Sequence, residues 1–183
     1  MENPAPGILL IADPFLKDPN FTRTVILLCE HQDSGSLGFV INKQLEYTLE
    51  DLIPEAAGLR LPIFFGGPVQ VDTLHFLHLY PDMIPGSRKL SDGVSWGGDF
   101  ELTLSLLRGG QISPTHIRFY IGYSGWSGGQ LDDELKGKSW LTALGKRGIV
   151  FHDPLEETWK EAVRLLGKDY EVITNFPIDP QLN

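Results

Sequence analysis

His116-Ile117-Arg118-Phe119-Tyr120-Ile121-Gly122-Tyr123-Ser124-Gly125-Trp126-Ser127-Gly128-Gly129-Gln130-Leu131-Asp132-Asp133-Glu134-Leu135 is the stretch on which the fold of this chain turns. His116–Ile121 is an apolar run of strand character, and Leu131–Leu135 reads as a helix. Gly122–Gln130 between them reads as a glycine-rich turn from strand into helix. Such a turn suits an anion: N–H groups at a helix start are free, and glycine admits a ligand to the backbone. Gly128 and Gly129 are the expected donors. Gly125-Trp126-Ser127-Gly128-Gly129 also fits G-x-S-x-G, the frame of a serine nucleophile. Asp132 or Asp133 and then His152 follow in matching order. A capping box explains the same serine without chemistry, because Gln130 follows Ser127 by three, and it is the preferred reading. No G-x-x-x-x-G-K-[ST] or G-x-G-x-x-G motif is present, so a standard NTPase or dinucleotide site is unsupported.

Outward from this segment, strands dominate the first half. Gly7–Ala12, Thr22–Cys29, Leu37–Ile41, Ile63–Phe65, Thr73–Leu79 and Val94–Trp96 are expected strands, with the polar turn His31–Gly35 closing a hairpin. Thr48 and Asp51 stand in capping-box spacing and open a short helix, Thr48–Ile53, that stops before Pro54. Asp99 caps a helix over Phe100–Leu107, ended by Gly109-Gly110. Asp153, Pro154 and Glu156 start another that runs to Leu166. Its buried stripe is Leu155, Trp159, Ala162, Val163 and Leu166. This order suits an α+β or mixed α/β architecture better than regular βαβ units. With 183 residues the chain suits one domain, expected over residues 7–175 with tails at 1–6 and 176–183.

The chain is 42% hydrophobic, enough for a core, and carries a formal net charge of −9. Its 15 basic residues are scattered. Nucleic-acid binding draws on a local excess of Lys and Arg, so direct DNA binding is disfavoured. No pair of short helices with a basic second member suggests a helix-turn-helix. The lone Cys29 excludes an internal disulfide and reads as a buried, inert thiol. Met1-Glu2-Asn3-Pro4 lacks a signal-peptide pattern, and no apolar run approaches the ~20 residues that span a bilayer, so a cytoplasmic location is expected.

Several side chains stand out as candidates. Arg23, opening an apolar strand, needs a carboxylate, a backbone carbonyl or a ligand as partner. Asn42 caps a turn or hydrogen-bonds the same ligand. Gly66-Gly67-Pro68 marks a stiff bend where backbone approaches something closely. Trp126 beside glycines is a core or stacking residue. His75 and His78, three apart on a strand, point to opposite faces and read as structural. No metal or cofactor site is assigned. As an alternative, Asp99, Asp132, Asp133 and Glu134 could hold Mg²⁺ in a hydrolase or nuclease-like enzyme.

Five motifs in order give the chain a resemblance to the AlgH/YqgE family of bacterial proteins over about residues 7–180. They are Phe21-Thr22-Arg23-Thr24-Val25; Gly35, Gly38 and Asn42; Gly66-Gly67-Pro68-Val69; Trp96-Gly97-Gly98-Asp99; and Gly122–Leu131. The resemblance implies an α+β fold, a mixed sheet with a small closed barrel-like core flanked by helices, in a cytosolic protein. Family members are commonly labelled transcriptional regulators. The family pattern leaves positions 124 and 127 loosely specified, which counts against serine chemistry. The expected function is a regulatory domain binding a small anionic, nucleotide-like ligand or a protein partner, rather than an enzyme. Arg23, Asn42, Gly66, Gly67, Tyr123, Trp126, Gly129 and Gln130 are the expected ligand-binding residues.

Overall fold

Every residue of the first strand, β1 (Ile8–Ala12), is buried, because both faces of the strand are covered. A computed structural model describes residues 1–177; of the tail expected at 176–183, residues 178–183 lie outside the described residues. The other strands are β2 (Val25–Gln32), β3 (Gly35–Val40), β4 (Gln44–Thr48), β5 (Pro62–Phe65), β6 (Val69–His78), β7 (Arg88–Lys89), β8 (Ser95–Trp96), β9 (Ile117–Ser127) and β10 (Trp140–Leu144). The helices are α1 (Leu49–Leu52), α2 (Phe100–Arg108), α3 (Gln130–Lys136), α4 (Arg147–Val150), α5 (Thr158–Arg164) and α6 (Lys168–Glu171). None of them is long and apolar enough to cross a membrane.

The ten strands form one sheet in the order β10-β1-β2-β3-β9-β6-β8-β7, with β4 and β5 branching from β9. All pairs are antiparallel except β5 with β9. The closed barrel-like core expected from the family resemblance is not present: β10 and β7 end the sheet, and no ladder joins them. The physical reason lies in β7. It is two residues long and runs into a turn in which Asp92 and Gly93 both take positive φ, so no extended chain is left to pair. The ends meet only through loops, where the Ser91 hydroxyl donates to the Gly7 carbonyl at 2.9 Å.

The sheet is organised by β9, which is longer than its sequence suggests. Gly122–Ser127, expected as a turn, continues the strand; only Gly128 and Gly129 turn before α3. Its first half pairs in parallel with β5 (Ile63↔Phe119 to Phe65↔Ile121). Its second half pairs with β3 (Gly38↔Ser124 to Gly35↔Ser127). Both lie opposite β6, so β9 changes partner halfway along one edge. The change is made where Gly66-Gly67 passes over Gly122-Tyr123. There Gly66 N–H donates to the Ile121 carbonyl at 2.8 Å, and the Gly66 carbonyl accepts from Val40 N–H at 2.8 Å. A methyl group on Gly66 would lie 2.4 Å from the Gly122 oxygen, and one on Gly67 only 2.2 Å from the Tyr123 carbonyl carbon. Gly67 (φ +152°) and Gly122 (φ +67°) also occupy backbone conformations that L side chains rarely adopt.

Strand alternation distributes the core over both faces. Leu9, Ile11, Val25, Leu27 and Cys29 pack with Trp159 and Val163 of α5. Leu10, Ala12, Ile26 and Leu28 pack on the opposite face with Trp126, Leu131 and Trp140. A third cluster joins Ile63, Phe76 and Phe119 to Leu104 and Leu107 of α2 and Leu49 of α1. Helix starts largely follow their capping residues: Asp51 accepts from Thr48 N–H at 2.8 Å, and Asp99 from Leu102 N–H at 3.0 Å. The expected helix from Asp153 differs. Pro154 is extended and leads into a 3₁₀ turn, Leu155–Glu157, before α5.

The crossing makes a sharp contrast between two glycines. Gly67→Ala should cost about 3 kcal/mol or more, because a backbone clash adds to an unfavourable φ. Gly129→Ala, with open space around it and φ +77°, should cost only about 1 kcal/mol. Urea denaturation of both variants checks this, and equal losses would refute the requirement for glycine at the crossing.

Candidate functional site

The β6–β8 ladder covers only Leu77 and His78 of β6, where they pair with Trp96 and Ser95. Beyond Trp96 the chain turns away through Gly97 and Gly98, both at positive φ, to the Asp99 cap of α2. The edge of β6 is thereby left uncovered opposite α2, and a cleft of about 580 Å³ opens there. Leu74 and Phe76 of β6, Phe100 and Leu104 of α2, Trp96 and Ile53 form its largely apolar wall. Its charged lining groups are Glu55 and Glu101, both exposed. A cleft of this size, apolar with a few placed polar groups, is the usual form of a binding site.

Two histidines shape the cleft from opposite faces of β6. His78 is fully buried and pins the outgoing loop. Its Nδ1 accepts from Tyr80 N–H at 3.0 Å, so Nε2 carries the proton and donates to the Gly97 carbonyl at 2.8 Å. Burial lowers the His78 pKa, with the Gly97 bond partly opposing it. His75 lines the cleft with its ring 5.0 Å from Phe39 and 6.1 Å from Tyr123. Burial lowers its pKa as well.

The eight expected ligand-binding residues fall into three places. Arg23 and Asn42 form one. Arg23 sits in a turn ahead of β2 rather than inside a strand, at φ +48°. Its guanidinium lies 4.8 Å above the Trp159 ring and donates to the Phe176 carbonyl. The Asn42 amide donates to the Arg23 carbonyl at 3.0 Å and accepts from Val25 N–H at 2.9 Å, so it is occupied as a clamp on this turn. Gly66 and Gly67 form the second place, buried at the crossing beside the Tyr123 backbone. Trp126, Gln130 and Gly129 are in the third, at the start of α3. Two small clefts lined by Trp126 take in Tyr123 or Gln130, but not Arg23, Asn42, Gly66 or Gly67.

Around Trp126, one carboxylate organises the packing. Glu134 Oε2 accepts from the Trp126 indole at 2.9 Å and from the Trp140 indole at 2.8 Å, and Oε1 accepts from the Gln130 amide at 3.0 Å. Sequence reasoning weighed Glu134 as a metal ligand, and its service to two indoles emerges only from the pairing of distant segments. Asp99 is a helix cap and Asp133 pairs with Lys136. Among the described residues no cluster of three or more His, Cys, Asp or Glu could hold a metal ion. Gln130 Oε1 takes up Ser127, accepting from its N–H at 3.1 Å and its hydroxyl at 3.3 Å. The cleft residues Leu74, Phe76, Phe100 and Leu104 were absent from the expected site, although Trp96-Gly97-Gly98-Asp99 marked its rim.

Two outcomes follow from these contacts. Glu134→Ala strands two indole N–H groups and should cost about 2–3 kcal/mol, read by denaturation together with a shift in tryptophan emission. An unchanged stability would remove Glu134 from this role. His78 and His75 resist protonation in the folded chain, while the unfolded chain takes protons up near pH ~6.5. Stability should therefore be full above that pH and fall as pH drops through the lowered folded values. His78→Gln should flatten the decline measured by urea denaturation between pH 7.5 and 5, and an unchanged slope would rule His78 out as its source.

Comparison with known proteins identifies relatives over nearly the whole length. The AlgH-like family model matches residues 9–171. A UPF0301 protein of Chlorobium limicola is 44% identical over 178 residues, covering 97% of this chain and 95% of that protein. Among solved structures, AlgH from Pseudomonas aeruginosa has a TM-score of 0.73 at 29% identity, covering 97% of this chain and 98% of that one. Protein DIP2367 from Corynebacterium diphtheriae, at TM-score 0.76 and 21% identity over 96% and 94% of the two chains, shares the fold.

Proposed function

The chain belongs to the AlgH-like family, and we propose that it acts there as a regulatory binding domain whose site is the cleft between β6 and α2. The observation that carries this is the cleft itself: about 580 Å³, walled by apolar side chains and opening on an unpaired strand edge. Of the groups weighed for catalysis, Asp99, Ser127 and Glu134 are engaged with the protein's own backbone and side chains. An anionic ligand, the occupant suggested by Arg23 and the glycine segment, would meet Glu55 and Glu101 in this cleft. Arg23 itself faces Trp159 and the Phe176 carbonyl. These charges favour the protein-partner form of the regulatory role, with a cationic group on the occupant. The net charge of −9 continues to disfavour DNA as that partner.

Amide chemical-shift mapping tests the site. A small aromatic amine such as benzylammonium should shift Leu74–Phe76, Trp96–Gly98 and Phe100–Leu104, with an affinity of about millimolar for so small a probe. Ile53→Trp, which places bulk in the cleft, should weaken binding about tenfold. Nucleotides should leave these amides unmoved. Nucleotide-induced shifts confined to Arg23 or to Gly128-Gly129, with none from the amine, would return the site to the glycine segment and overturn the proposal.

A further inference from the structure

We infer that the partner is an extended, basic peptide segment that adds to β6 as a further strand; this rests on the β6–α2 cleft being the binding site. The direction of the Leu74 backbone carries the inference. Leu74 lies opposite Ile121 of β9. The Ile121 carbonyl accepts from Gly66 N–H on the far side of β9, at 2.8 Å. In an antiparallel ladder, two directly opposed residues either exchange hydrogen bonds or both point away. The Leu74 N–H and C=O therefore point away from β9, toward the outer edge of β6. Phe76 confirms the phase, since its carbonyl accepts from Gly97 N–H on that outer edge at 2.9 Å. Cover by β8 stops there, so Leu74 has no strand partner on its outer side among the described residues.

An open strand edge is a template for another chain, and proteins commonly blunt such edges with Lys or Pro. Val69–His78 contains neither. Instead the open edge adjoins a cleft able to accept an apolar side chain, which supplies the alternate-residue pocket that strand addition uses. Charge selects the occupant. Glu55 and Glu101 line the cleft, and exposed Asp72 precedes Leu74 by two on β6. Arg108 of α2 donates its guanidinium to the carbonyls of Glu55 and Ala57. A second copy of this chain, with net charge −9, would set acid against acid, whereas a lysine- or arginine-bearing segment of another protein is complementary.

The test uses the whole protein and a six-residue peptide alternating lysine with valine or phenylalanine. Binding should shift the Leu74 amide and slow its hydrogen exchange at least about tenfold. Two further peptides, each N-methylated on one alternate set of amides, keep the side chains while removing one edge of backbone donors. One of the two should lose at least about tenfold in affinity. Replacing lysine by glutamate in the peptide, or Glu55→Lys with Glu101→Lys in the protein, should weaken binding similarly. Leu74→Pro, which removes the outward donor, should abolish Leu74-centred binding. If both N-methylated peptides bind as well as the parent, or the glutamate peptide binds equally, strand addition by a basic segment is wrong. Peptide failure with retained benzylammonium binding refutes this inference alone; failure of both probes removes the cleft reading as well.

Discussion

The close passage of Gly66-Gly67 over Gly122-Tyr123 is the constraint on which the rest of the structure depends. It lets one long strand, β9, hold β5 along its first half and β3 along its second, on the same edge. Side chains at the crossing would separate the backbones and break the hydrogen bonds that Gly66 makes to Ile121 and Val40. With the crossing made, the two halves of the sheet share a spine, and helices can cover both faces. Gly66, Gly67 and Gly122, which looked like a ligand-approach bend and the start of a ligand-binding turn, thus serve backbone-to-backbone contact.

The other side of the sheet decides where the molecule is left open. Among the described residues, the outer side of β6 is covered only by the short β8. The Gly97-Gly98 turn and the Asp99 cap draw the chain off that edge into α2, and His78 fixes the departure by holding the Gly97 carbonyl. The cleft is the space this departure leaves. Its acids face outward while its apolar wall joins the core beneath α2, so shape and charge together favour a partner with an apolar side chain and positive charge.

Polar side chains near the expected site are largely consumed by the fold. Asn42 clamps the turn carrying Arg23, and Glu134 satisfies two buried-facing indoles that otherwise would pay the cost of an unpaired donor. Residue types suited to ligand chemistry are equally suited to closing a fold with many strand junctions.

The sequence by itself determined many of the local elements, though not β4, β10, α4 or α6. Apolar runs mark β1, β2 and β3, Thr48 and Asp99 mark helix starts, and the turn before Gly35 marks a hairpin, because capping, turn and hydrophobic-run signals act between near neighbours. It also showed, through five ordered motifs, which family the chain resembles. It did not show that Gly122–Ser127 is strand, since a glycine in a turn and a glycine under a crossing backbone look alike until the other segment is in place. Nor did it show that the sheet stays open, that Glu134 serves Trp126 and Trp140, or that the outer edge of β6 bears a cleft. Those features depend on contacts between residues far apart in the chain, and only the tertiary structure decided them.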